Sequence, residues 1–374
     1  MDVISITKYL RDPRRDQNKE HSLECIIYIT LAAVLSGAES WYEVEEFGRL
    51  KKDFFCSRIK DFRGVPSHDT FNRLFSLLDP VHLERCFRVW VGEICGKYSG
   101  IVPIDGKTIR GAGYDDGEGS FSKLHVVSAW AADNGITLGQ EKVWDKSNEI
   151  TAIPALIRAL DLQDCLITID AMGCQKKIVE EIVSKKADYV ICLKDNQKKF
   201  HQEVKSYFQG FDEKRCHPSR YASYQTEETA HGRYERRLYE VYSNGALDLV
   251  FDGWKGLKSV VRVTSIRKLI KSGEESTEQR YYITSLGLEA QRIAQGIRTH
   301  WSIENNLHWQ LDVTFNEDHT RKRKNAALNF SLINKIALAI VKNNAKKISL
   351  KAKRKAAGWD DKYLAQLLEE KWKL

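Results

Sequence analysis

The sequence predicts an α/β protein: one mixed sheet covered by helices, preceded by a small helical domain and interrupted by a β-rich block. Three observations carry this. Residues 1–97 show helical patterning with well-marked helix starts. From residue 98, short runs of branched residues alternate with helical segments. Residues 200–290 are rich in aromatic, Thr and Val residues, with glycine-containing turns.

The elements follow in chain order. "HSLECIIYITLAAVLSGAESWYEVEEFGRLKKDFF" is rich in Ala and Leu and helical, with a break at Gly37-Ala38. "SHDTFNRLFSLL" starts on Ser67 as a helix cap, and "DPVHLERCFRVWVGEICGKY" on Asp79 with Pro80 at the first helical position. "GIVPIDGKTIRGA" reads as a strand. "KLHVVSAWAADNGITLGQEKV" reads as a hairpin turning at Asn134-Gly135. "SNEITAIPALIRAL" is a helix capped at Ser147 or Asn148. "CLITIDAMGC" is a short strand, "QKKIVEEIVSKKA" a helix and "DYVICLK" a strand. "YASYQTEETAHGRYERRLYEVYS", "SVVRVTSIRKLI" and "QRYYITSL" are strands, and the helical period returns at "LEAQRIAQGIRTHWSIENNLHWQLDV".

The bulk properties narrow the class. Of 374 residues, 42% are hydrophobic and 29% charged, which suits a soluble chain of two or three domains. The start lacks the basic-then-apolar order of a secretion signal, and no apolar run reaches membrane-span length. A cytoplasmic protein with no membrane partner is expected. The eight cysteines form no C-x-x-C pair, so reduced core thiols are expected rather than structural zinc. The net charge of +8 is uneven: from His319 onward fifteen Lys or Arg face four Asp or Glu, a net of +11. "RKRK" (Arg321, Lys322, Arg323, Lys324) and "KAKRK" at 351–355 are either solvated surface or contacts to a phosphate backbone.

The chemistry gathers on three acids. The apolar run Ile101–Ile104 leads into Asp105, which is either half of an Asp-Gly turn or a functional carboxylate at a strand end. "LITIDAMGC" repeats the arrangement at Asp170. If the two strands are neighbours, their like charges repel unless a cation lies between them, and paired hard oxygens suggest Mg²⁺ or Mn²⁺. The third candidate is Glu304. At about 100° per residue it shares a helix side with Ile297, His300, Leu307, His308 and Leu311, so an inward-facing carboxylate is expected. The i+4 ladder His300, Glu304, His308, Asp312 also admits a zinc helix, but without the H-E-x-x-H spacing. Glu317 and Asp318 are alternative acids, or solvated charge at a helix end. Lys107 and Arg110 are candidate phosphate contacts, or exposed strand-end charges. Trp301 and Trp309 suit base stacking, with core packing expected for at least one. His231-Gly232-Arg233 is a DNA contact or a turn.

"IDGKTIRGA", "KSNEITAIPALI", "TIDAMGCQ" and "RTHWSIENNLHWQLDVTFNEDHTRKR" together resemble the signatures of DDE transposases, nearest the ISAs-type insertion-sequence group with its H-repeat-associated proteins. "DPRRD", "AAVLSGAESW" and "HDTFNRLF" resemble that group's N-terminal region, so the resemblance spans nearly the whole chain. It implies a ribonuclease H-like catalytic domain with a β-rich insertion between the second and third acids. It implies Asp105, Asp170 and Glu304 as the catalytic and metal-binding triad, holding two Mg²⁺ (or Mn²⁺) ions. The implied activity is metal-dependent cleavage and strand transfer at insertion-sequence ends. The implied partners are the double-stranded DNA of the inverted repeats and of the target, bound by a homodimer. Expected DNA contacts are Lys107, Arg110, His300, His308, Arg321, Lys322, Arg323 and Lys324. Related transposases often place a Tyr, an Arg and a Lys where this chain has Ile297, His300 and Leu311. The expected segments are 1–97 (helical; DNA binding or dimerisation), 98–199 (core, first part), 200–290 (β-rich insertion), 291–340 (third-acid helix) and 341–374 (basic tail). A silent DNA-binding relic and a nuclease without strand transfer are the rival readings.

Overall fold

The computed structural model describes residues 3–17, 19–115, 121–143, 148–213, 220–243 and 253–369. The expected cap at Ser147 lies outside the described residues. The chain forms two compact units, neither of them one continuous segment. The first comprises Met1–Tyr98, Gly106–Asn148 and Glu304–Leu374; the second comprises Ser99–Asp105 and Glu149–Ile303. The helical start and the basic tail, separate segments in the sequence reading, therefore share a unit.

In the first unit, local side chains start the helices. Ser22 accepts the Cys25 N–H at the head of α1 (Leu23–Leu35), and Ser40 and Glu43 close a capping box on α2 (Trp41–Leu50). α3 (Lys52–Cys56) follows. Ser67 caps α4 (His68–Leu77), and Asp79 with Pro80 starts α5 (Pro80–Cys95), as the sequence predicts. α1 stops before Gly37, whose φ of 110° favours glycine. β1 (Ile101–Asp115) belongs to this unit from Gly106 onward, with the hairpin β2 (Phe121–Ala131) and β3 (Ile136–Lys142) beside it. The later helices of this unit are α10 (Trp309–Val313), α11 (Lys324–Asn343), α12 (Leu350–Trp359) and α13 (Asp361–Glu369). α11 packs on α1, α4, α5 and β3 through buried Phe330, Leu332, Ile333 and Ile336. Its buried Asn329 donates to the carbonyls of Phe75 and Leu78, which satisfies the end of α4.

The basic tail divides. Lys351 and Lys355 are exposed, but Lys353 and Arg354 are buried. Lys353 donates to the carbonyls of Val341 and Asn344, at the end of α11. Arg354 donates to Val34 O, at the end of α1, and to Thr314 O. Helix ends leave carbonyls unpaired and carry partial negative charge, so buried cations fit there. Part of the tail's charge is thus structural.

The second unit is a mixed α/β layer. Its strands run in the order β1-β4-β5-β9-β8-β7-β6, with β4 (Leu166–Ile169), β5 (Asp188–Leu193), β6 (Tyr221–Ala230), β7 (Arg233–Tyr242), β8 (Ser259–Leu269) and β9 (Glu275–Thr284). β1, β4 and β5 are parallel; β9 runs antiparallel to β5 and leads into an antiparallel meander. The β-rich reading of 200–290 is corrected at its start, where Lys198–Asp212 is helical; the strands from Tyr221 onward extend the sheet. His231 and Gly232, at φ of 51° and 73°, make the tight β6–β7 turn. The helices are α6 (Glu149–Ala159), α7 (Lys176–Ser184), α8 (Lys198–Asp212) and α9 (Ala290–Ile303). α9 packs on β4, β5, β6 and β7, so Ile293 and Ile297 join Leu166, Val190, Tyr239 and Val261 in one core. Gly296 allows that approach: a Cβ there would lie 3.0 Å from Leu166 Cδ2.

Candidate active site

Two acids stand side by side in the second unit. Parallel pairing of β1 with β4 ends at Ile104 opposite Ile169, and the next residues are Asp105 and Asp170. Neighbouring strands are about 4.8 Å apart, so the carboxylates leave the sheet as a pair. The expectation that Asp105 ends its strand is corrected: β1 continues to Asp115. Asp105 marks where β4 stops, and Asp105-Gly106 is not a turn. Burial, then the charges of Asp105 and Glu149, hold the Asp170 carboxyl above the usual carboxylate range, against a hydrogen bond from the Gly173 N–H and the nearby His300.

The turn after Asp170 is pinned from two directions. Asp170 Oδ1 accepts the N–H groups of Met172 (3.0 Å) and Gly173 (3.3 Å). A Cβ on Gly173 would run into Ile169 Cγ2, so glycine is needed at this approach. From beyond β5, Asn196 Nδ2 donates to Ala171 O (2.6 Å) and Gln197 Nε2 to Cys174 O (2.9 Å). The sequence reading missed both carboxamides. Their signal was a polar Asp-Asn-Gln directly after an apolar strand.

The third acid sits at a break in helical period. α9 ends at Ile303, and Glu304–His308 form a π-helical turn leading into α10. Such turns are rare and frequent at functional sites. Ile297, Leu307, His308 and Leu311 are buried as the helical wheel requires, but Glu304 is exposed. The expectation of an inward-facing Glu304 fails because a wheel of constant pitch does not hold through a π turn. Donor atoms of Glu304 and His308 lie within 4.8 Å of each other. One turn before Glu304, His300 Nδ1 lies 3.1 Å from Thr168 Oγ1 on β4. Trp301 and Trp309 are 51% and 52% exposed, so neither is the core residue expected of at least one.

The basic candidates separate by burial. Arg110, Arg321, Arg323 and Lys324 are exposed. Lys322 is buried, donates to Glu39 O (2.6 Å) and lies 3.5 Å from the Phe330 ring centre, so it is withdrawn as a DNA contact. Buried His308 is withdrawn likewise, and half-buried His300 is engaged with Thr168. Lys107 is neither a free phosphate contact nor an exposed strand-end charge. Its side chain is 10% exposed, and its ammonium meets Asp312 (2.7 Å), Asp318 (3.2 Å) and Glu317 (3.6 Å). Burial works against that charge, but the three acids outweigh it and raise the Lys107 pKa. Glu317, expected to be solvated, is 2% exposed.

The residues fit a hard divalent cation. Asp105 and Asp170 offer paired carboxylate oxygens whose repulsion a cation would relieve, and Glu304 and His308 place further donor atoms within 4.8 Å of each other.

The model of the transposase DDE domain matches residues 98–341, and that of the DDE_Tnp_1-associated region matches residues 5–91. This chain belongs to the DDE transposase family. As a DDE transposase it is 39% identical to "H repeat-associated putative transposase YhhI" of Escherichia coli (strain K12), over 98% of this chain and 97% of that protein. It is 41% identical to "Putative transposase YncI" of Escherichia coli O157:H7, over 98% of this chain and 94% of that protein. Among solved structures, a piggyBac transposase synaptic complex with hairpin DNA aligns with 98% of this chain and 76% of its own, at 11% identity and a TM-score of 0.44. DDE transposases normally use divalent metal ions, which agrees with the acids above. No helix among the described residues is long and apolar enough to cross a membrane.

Proposed function

We propose that this chain cleaves insertion-sequence ends and joins them to target DNA, with Asp105, Asp170 and Glu304 as its catalytic acids. The observation that carries this reading is the pair Asp105 and Asp170, one step beyond the last paired residues of two parallel strands. A ribonuclease H-like frame is supported by the parallel β1, β4 and β5, and by the β2–β3 hairpin. The strands of 200–290 then fall between the second and third acids, where the family's insertion belongs.

Asp105, Asp170 and Glu304 would hold two Mg²⁺ or Mn²⁺ ions, which supply Lewis-acid activation and charge stabilisation at a DNA phosphate. The chain's own residues prepare the site. The Asp170 turn fixes one carboxylate, with Asn196 and Gln197 holding its two carbonyls. Thr168 orients His300 one turn before Glu304. Exposed Arg110, Arg321, Arg323 and Lys324 suit the backbone of double-stranded DNA. A homodimer on DNA is part of the same reading, to be checked by light scattering of the DNA complex.

The test supplies a pre-cut inverted-repeat end bearing a 3′-hydroxyl, a target plasmid and Mg²⁺. Joined products are expected. Cuts without joining would favour a nuclease, and binding with neither would favour a silent relic. Asp105→Asn and Glu304→Gln should each lower cutting by about a hundredfold or more while end binding persists. Retained cutting by purified Asp105→Asn protein would overturn the assignment.

A further inference from the structure

Lys107 lies two residues after Asp105 in β1, so the two side chains leave the same face of the strand. Asp312 lies eight residues after Glu304, in the helix that follows the π turn. The Lys107–Asp312 contact at 2.7 Å joins that strand to that helix. The same stretch of β1 is held again further on. Asp318 Oδ1 accepts both the Lys107 ammonium and the Arg110 N–H, each at 3.2 Å. Gly111 passes so close to the Thr320 and Asp318 carbonyls that a Cβ would lie 2.7 Å from Asp318 O. Gly113 bridges Arg323.

A phosphate contact needs an accessible cation in a positive field. Lys107 has little exposure, and its one ammonium already meets three carboxylates, so it offers a DNA phosphate no open contact. An ion pair this enclosed, with a second carboxylate also holding the backbone, instead sets the spacing of two elements.

We propose that Lys107, clasped by Asp312 and Asp318, is a positioning residue for the catalytic acids: it fixes the strand leaving Asp105 against the helix leaving Glu304. This rests on the triad reading above. Residues that orient metal ligands typically change metal affinity 10- to 100-fold when altered.

The test measures Mn²⁺ binding to the free full-length protein by electron paramagnetic resonance. It is paired with the salt dependence of binding to an inverted-repeat duplex. Lys107→Met and Asp312→Asn should each weaken Mn²⁺ binding by about tenfold and leave the salt slope unchanged. Lys107→Arg, which keeps the charge, should restore most of the affinity. A salt slope reduced by about one phosphate in Lys107→Met, with unchanged Mn²⁺ binding, would make Lys107 a DNA contact and overturn the proposal. So would no change in either quantity. Tighter Mn²⁺ binding in Lys107→Met would mean that the acids are themselves a cation site with Lys107 as competitor, and would overturn it too. If Lys107→Met does not fold, Asp312→Asn decides: unchanged affinity there removes the clasp. Asp105→Asn run alongside separates the two failures. If it retains Mg²⁺-dependent cutting, the triad reading falls; if it is dead and Lys107→Met binds Mn²⁺ normally, only the clasp falls.

Discussion

At the scale of single residues, Asp170 shows what a crowded carboxylate costs its host. It is half-buried, with Asp105 and Glu149 near it. Without a cation, burial and repulsion oppose its charge, so the folded-state pKa is raised. Above that pKa the full penalty applies, and it fades as pH falls toward the unfolded-chain value. Asn keeps the Oδ1 acceptor used by Met172 and Gly173 while removing the charge. Asp170→Asn should therefore abolish cutting yet raise the melting temperature of the metal-free protein, by about 1–3 °C if roughly 1 kcal/mol is relieved. Calorimetry in EDTA checks this, and a lower melting temperature would contradict the account. The proposed pair was legible at this scale, since Asp105 and Asp170 each end an apolar run. Exposure was not. Glu304 and Lys107 exchanged expected environments: Glu304 sits at a π turn, and acids distant in sequence enclose Lys107.

At the scale of elements, most helices and strands were readable. Ser67, Asp79-Pro80 and Asn134-Gly135 act within a few residues, and short-range hydrogen bonds fix their geometry wherever the segment docks. The continuation of β1 past Asp105 was not readable, because pairing with β2 extends it through Gly106, a residue that otherwise signals a turn. The π turn was equally hidden, since one fixed period was assumed through it. Gly111 offers an element-scale test. Its close approach to the Asp318 and Thr320 carbonyls leaves no room for a methyl group on backbone that cannot yield cheaply. Gly111→Ala should destabilise the protein by about 1–3 kcal/mol, seen as a lower urea midpoint. Gly92→Ala, where a Cβ meets nothing within 4 Å on α5, should be neutral or slightly stabilising.

At the scale of the whole molecule, the uneven charge has a use other than DNA. Burial lowers the pKa of Lys322 to about 7, and those of Lys335 and Lys342 to about 8. In the unfolded chain these lysines titrate near the ordinary 10.5, so between pH 7 and 10 it binds more protons than the folded one. Stability should then rise with pH across that window and be lowest, on this account, below pH 7. Melting at pH 7 and pH 9 in EDTA checks the sign. A lower melting temperature at pH 9 would show that these ammonium groups stay charged in the fold, held by partners such as Gln140 for Lys335 and the Trp130 ring for Lys342.

The sequence by itself determined most helix starts, most strands, the alternation that makes an α/β fold, and the family, and it proposed the three acids. Those signals rest on local hydrogen bonding, on hydrophobic period and on side-chain identity, all written along the chain. Only the tertiary structure decided that Asp105 and Asp170 adjoin, because that takes a parallel pairing of strands more than sixty residues apart. It also decided which cations are free. Lys322, Lys353 and Arg354 look like their exposed neighbours in a basic run, yet each sits beneath packed helices with its charge turned onto backbone carbonyls. A run of like charges specifies composition; burial depends on what the rest of the chain brings against it.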